Sequence, residues 1–116
     1  MATDFRTGEF PRPGRKALDG YLWLARVFDK ARAARNATIY DYIYPCPMDR
    51  AVFDRWGSTS RVFDAALENA HTDDQILAWV KARVPAERRD DANAWLLEEK
   101  SDNLDRQDAE EGVVVA

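Results

Sequence analysis

The sequence predicts an all-α fold: a compact bundle of about five mostly short helices, with an extended N-terminal arm and one extended segment, about residues 38–45, that joins no sheet. Three observations predict it. Apolar residues recur at three- and four-residue spacing in several separate stretches, the pattern of helices with one buried side. Residues that start and stop helices flank those stretches, among them Pro47 and Thr72 at starts and Gly57 and Pro85 at ends. Only one stretch alternates with period two, and it has no second strand to pair with.

Taken in order, residues 1–13 read as an arm, because Pro11 and Pro13 hold the chain extended and bias the residues before them away from helix. Asp19 then serves as N-cap of a helix from about Gly20 to Arg35. At 100° per residue, Tyr21, Val27, Phe28 and Ala31 fall within about 60° of Leu24, and Arg26, Asp29 and Lys30 fall on the far side. Leu22 and Trp23 lie off the stripe, so the arm is expected to cover them. "ATIYDYIYP" alternates Ile39, Asp41 and Ile43 with Tyr40, Tyr42 and Tyr44 and is the extended segment.

In "CPMDRAVFDRWG", Pro47 suits the first helical position, Met48, Val52 and Trp56 share a face, and Gly57 closes the helix. "STSRVFDAALENA" follows, with Phe63, Ala66, Leu67 and Ala70 on one side. "TDDQILAWVKARVP" is the clearest element: Thr72 and Gln75 make a capping box, Asp73 and Asp74 favour the positive helix end, and Ile76, Trp79, Val80 and Val84 face inward. A last helix around Asp91–Lys100 turns Ala92, Trp95 and Leu96 inward. Residues 14–100 thus make a single helical domain, and the acidic residues 101–116 read as a loose tail. Trp23, Trp56, Trp79 and Trp95 are spaced as core residues, one to a helix.

Bulk properties narrow the function classes. A chain of 116 residues with net charge −4 is one domain and poorly suited to general nucleic-acid binding, which relies on neutralising phosphates. The charge is uneven, however: residues 1–35 carry eight basic and four acidic side chains, and residues 98–116 two basic and seven acidic. Arg12, Arg15 and Lys16 leave nucleic acid as a minor reading. The single Cys46 excludes an internal disulfide, and the single His71 excludes the usual Cys/His zinc patterns. No apolar run reaches the roughly 20 residues of a membrane span, and no secretory apolar region is seen, so a cytoplasmic protein without membrane partners is expected, as monomer or homodimer. No metal and no cofactor are expected.

Within "LARVFDKARA", Arg26, Asp29, Lys30 and Arg32 stand three or four residues apart. The plain reading is a solvated helix face with weak surface pairs. A second is an anion site, Arg supplying a bidentate fork. A third is that Arg26 or Asp29 is buried and fixes the chain before or after the helix. Cys46, as N-cap of the helix that begins at Pro47, is a semi-buried thiol or a thiolate favoured by the helix end, with Asp49 of the first turn opposing the charge. Cys46 followed by Pro47 is compatible with haem ligation, and catalysis by Cys46 with His71 would need the two to meet. Tyr42 and Tyr44 can line a pocket or an interface. Nucleophile elbows, phosphate loops and metalloprotease motifs are absent from the sequence.

The order "PRPGRKALDGYLWLARVFDKARA", "YDYIYPCPMDRAVFDRWG", "TDDQILAWVKARV" resembles a bacterial family catalogued as domain of unknown function 5069. The likeness runs from about Pro11 to Trp95 and is most specific over Gly20–Ala33 and Asp73–Val80. The entry "PRPGRKALDG" differs from the family's "SPR…GG" in having Asp19 before Gly20, and the acidic tail reads as an addition. The resemblance implies a small, mainly helical cytoplasmic domain and carries over no catalytic residue. The function that follows is a non-catalytic module binding a partner protein or a small anionic ligand. Its candidate residues are Arg26, Asp29, Lys30, Arg32, Tyr42, Tyr44, Cys46 and Asp49. The alternative is a small enzyme or a thiol- or haem-bearing protein with a pocket around Cys46, Asp49 and Arg26.

Overall fold

A computed structural model describes residues 4–112, and among them lie six α-helices and one 3-10 turn (Phe5–Thr7), with no strand. The helices are α1 (Leu24–Arg35), α2 (Pro47–Trp56), α3 (Ser60–Ala66), α4 (Asp73–Arg83), α5 (Ala86–Glu98) and α6 (Ser101–Glu110). Residues 1–3 of the expected arm and 113–116 of the expected tail lie outside the described residues.

The core is aromatic. Phe53 on α2 meets Trp56 edge-on at 5.9 Å and tilts against Phe63 of α3 at 5.1 Å, and Tyr21 meets Trp56 at 6.4 Å. Such pairs add roughly 0.5–1.5 kcal/mol each to the area they bury. Leu24, Val27 and Phe28 of α1, Ile76 and Val80 of α4 and Leu96 of α5 complete the same cluster. Trp23 and Trp56 are buried as the spacing predicts. Trp79 and Trp95 are half-buried, with Arg83 over one ring and Arg55 over the other.

The predicted caps of α2 and α4 are present. Cys46 and Asp49 form a reciprocal capping box with Pro47 at the first helical position, and Thr72 and Gln75 form another. Three boundaries differ from expectation. α1 starts at Leu24, four residues later than Gly20, because Leu18–Tyr21 closes a tight turn in which both backbone N–H groups are returned across it. Asp19 and Gly20 at its centre are left-handed, and Asp19, far from capping α1, pairs with Lys81. The clamp is tertiary: Asn93 of α5 donates to the Gly20 carbonyl at 2.7 Å and accepts from Leu22 N at 3.2 Å. α5 begins at Ala86 because Pro85, besides stopping α4, is the N-cap residue of the next helix.

The third difference is a sixth helix where a loose tail was expected. Composition argued against it, but α6 buries Leu104 and packs on α5, while Arg15 binds Asp105 at 2.8 Å and Asp108 at 3.0 Å. Segment 38–45 joins no sheet, as expected, yet it is turned rather than evenly extended, with Tyr42 N bonded to the Ile39 carbonyl and Tyr40 left-handed. The arm carries the Phe5 turn, and Phe5 lies 4.9 Å from the Tyr42 ring.

Trp23 is covered from two sides, by the chain after the arm and by α6. A Cβ on Gly14 would lie 2.6 Å from the Trp23 ring and 2.9 Å from Leu104 Cδ2, closer than carbon atoms can approach. Gly14→Ala is therefore expected to lower stability by about 1–3 kcal/mol. Urea denaturation checks it, and an unchanged midpoint would refute the close approach.

A candidate anion-binding cavity

The polar side of α1 is not solvated. Arg26, Asp29 and Lys30 are all buried, each less than 5% exposed, and every residue of α1 from Leu24 to Ala31 is buried, with only the C-terminal end reaching solvent at Arg35. The plain reading of "LARVFDKARA" is thus overturned, and the physical reason is that each buried charge has a partner from a distant part of the chain. Unpaired, such charges would cost several kcal/mol each.

Asp29 is held from before the helix. It accepts from Arg12 N at 2.8 Å, from Arg12 Nε and Nη2 at 3.0 Å each, and from Arg32 Nη2 at 2.9 Å. Arg12 reaches on to Asp73 through two bonds of 2.7 and 2.8 Å. Those bonds hold the Asp73 carboxyl below its usual range, and they and the bonds to Asp29 raise the Arg12 guanidinium further. Lys30 is held from α2. Its Nζ donates to Asp49 Oδ2 at 2.7 Å, and fully buried Asp49 also accepts from Trp23 Nε1 at 2.9 Å and Cys46 N at 3.0 Å. Lys30 Nζ lies 3.4 Å from Cys46 Sγ.

Arg26 is held from after α6. Its Nη1 and Nη2 donate side by side to the two oxygens of Glu111, each at 2.8 Å, and Tyr42 Oη donates to Glu111 Oε2 at 3.0 Å. Burial, and then the Glu111 charge, push the Tyr42 hydroxyl up to about 12, so it is a proton donor throughout the neutral range. Arg26 Nε is buried with no acceptor, as is Gln107 Oε1 with no donor.

These contacts surround a cavity of about 550 Å3. Arg26, Lys30, Tyr42 and Cys46 line it, with Phe5, Phe10, Tyr40 and Ile43 as apolar walls and Arg106 and Gln107 contributed by α6. Of the five exposed large apolar side chains among the described residues, Phe10, Tyr40 and Ile43 belong to this cavity. Exposed acids, Glu9, Asp41 and Glu110, stand among the lining residues, so buried cations sit beside an acidic rim.

The eight sequence candidates therefore divide. Arg26, Lys30, Tyr42 and Cys46 share the cavity, with Asp49 behind Lys30. Asp29 and Arg32 open instead on a second cleft with Arg12, His71 and Asp73, and Tyr44 lies at a third, donating to Asp64 at 2.6 Å. Arg26 and Cys46, two of the three residues expected around one pocket, thus line the same cavity, while Asp29 does not join them. His71 opens on a different cleft from Cys46, so the two do not form a catalytic pair. Sequence reasoning missed Glu111, Arg106 and Phe10. The one signal for Glu111 was the basic surplus near the N-terminus set against the acidic C-terminal segment.

Among the described residues no group of three or more His, Cys, Asp or Glu is arranged to hold a metal ion, and no helix is long and apolar enough to cross a membrane. Comparison with curated proteins finds no match. The model of a family described as a domain of unknown function, DUF5069, matches residues 8–114, a span that includes α6 as well as the stretches whose resemblance was noted. With nearly its whole length matched, the chain belongs to the DUF5069 family.

Proposed function

We propose that the protein is a binding module that takes a small organic anion with an apolar body into the cavity beside Arg26 and Lys30. The observation that carries this reading is the pairing of a buried arginine, whose Nε has no acceptor, with a wall of exposed aromatic and aliphatic side chains. A concave site with apolar walls and a few convergent polar groups is the usual form of a small-molecule pocket, and exposed apolar patches mark places where something docks. Arg26 supplies planar, charge-assisted donors, and the Tyr42 hydroxyl adds a third. The rim carboxylates disfavour multiply charged anions and leave a monoanion as the preferred ligand. A thiol-centred enzyme has less support, since no histidine stands beside Cys46.

Thermal unfolding in the presence of benzoate and of benzyl alcohol tests it. The two share a ring and differ in charge. Benzoate at 100 times its Kd is expected to stabilise the fold by roughly 2.7 kcal/mol, a rise of several degrees in Tm. Equal shifts with the neutral alcohol, or none with benzoate at millimolar concentration, would overturn the proposal.

A further inference from the structure

We infer that Glu111 occupies the ligand's seat, so that the ligand is a carboxylate which replaces the Glu111 carboxylate on Arg26 and Tyr42 and releases the end of α6. This rests on the binding reading above and adds both the ligand's reacting group and its consequence for the fold. The seat is built for a planar two-oxygen anion: two parallel N–H donors from Arg26 at 2.8 Å each and a hydroxyl at 3.0 Å. Side-chain exposure is 4% for Arg26 and 7% for Glu111, so a charged group is already desolvated there. Glu111 therefore shows which chemical group the site accepts.

The second buried pair in the cavity behaves differently. Asp49 cannot leave Lys30 without also stripping Trp23 Nε1 and Cys46 N of their acceptor and opening the core around α2. Glu111 is the C-cap residue of α6, its neighbours Glu110 and Gly112 are exposed, and its backbone N–H is tied only to the Gln107 and Ala109 carbonyls of the last turn. Withdrawing it costs the last turn of α6, with the Arg15–Asp108 bond that turn carries, rather than the core around α2. A ligand that brings its own carboxylate, and rests its apolar body on Phe10, Tyr40 and Ile43, replaces the contacts Arg26 loses and adds burial that Glu111 does not provide. Local opening of a terminal turn lies at the low end of the free-energy range for such motions.

Hydrogen exchange of the full chain, with and without saturating benzoate, tests the displacement directly. Amides of residues 108–112 are expected to exchange at least about threefold faster with benzoate bound, while those of α2 are unchanged. In Glu111→Gln, which lacks the competing charge, benzoate should bind about tenfold more tightly, because the fraction of competent molecules rises. Benzoate that binds while residues 108–112 exchange at the same or a slower rate would overturn the displacement and leave the binding site standing. Absence of benzoate binding to both proteins would remove the binding reading and this inference together.

Discussion

Asp49→Ala is expected to lower the free energy of unfolding by about 3–5 kcal/mol, the cost of leaving a buried charge without its partner. The substitution strands the Lys30 ammonium, 3% exposed, and removes the acceptor from Trp23 Nε1 and Cys46 N in the same step. A domain of this size has only about 5–15 kcal/mol in total, so the variant should unfold at markedly lower urea. Lys30→Met combined with Asp49→Leu should recover much of the loss, since it removes both charges and keeps the volume filled. A single-variant cost under about 1 kcal/mol would mean that Lys30 reaches water by another route and that the pair is not the buried strut of α1 and α2.

Arg26→Met is expected to weaken benzoate binding by about 10- to 100-fold, which corresponds to roughly 1.4–2.8 kcal/mol. Met keeps an apolar stem and removes the guanidinium, which donates to the carboxylate and whose Cζ lies 5.6 Å from the Trp23 ring centroid. Arg26→Lys should recover only part of the affinity, because a single ammonium cannot reproduce two parallel donors. Stability should fall less than for Asp49→Ala, because the stranded Glu111, unlike the Lys30 that Asp49→Ala strands, regains water when the last turn of α6 opens. Calorimetric titration checks the prediction, and unchanged affinity in Arg26→Met would place the ligand elsewhere.

The contrast between these two residues also marks what the sequence makes legible. Local signals were sufficient where one short stretch determines the geometry: the N-cap at Cys46, the capping box at Thr72, Pro47 at a helix start, and the apolar faces of α2 to α4. They failed where a partner far along the chain decides. The Leu18–Tyr21 turn depends on Asn93, some seventy residues away, so Asp19 read as a cap although it lies in a turn. Arg26, Asp29 and Lys30 have the spacing of a wet helix face because burial of a charge leaves no periodic mark. Their partners come from the arm, from α2 and from beyond α6.

α6 is the instructive failure. Its low apolar content reads as disorder when the chain is considered segment by segment. The uneven charge was visible throughout, and Arg15 with Asp105 and Asp108, and Arg26 with Glu111, show its use: the basic N-terminal third and the acidic last helix neutralise each other. Matching charge surpluses between distant segments would have pointed to that docking. It would not have pointed to the cavity, whose walls combine Phe10 of the arm with Tyr40 and Ile43 of the turned segment.

Diffraction from crystals grown with 4-iodobenzoate locates the ligand without further assumption, because the iodine is visible by its anomalous scattering. The expected result is an iodine peak among Phe10, Tyr40 and Ile43 with the carboxylate directed at Arg26. A peak outside this cavity, or none at saturating concentration, would contradict it.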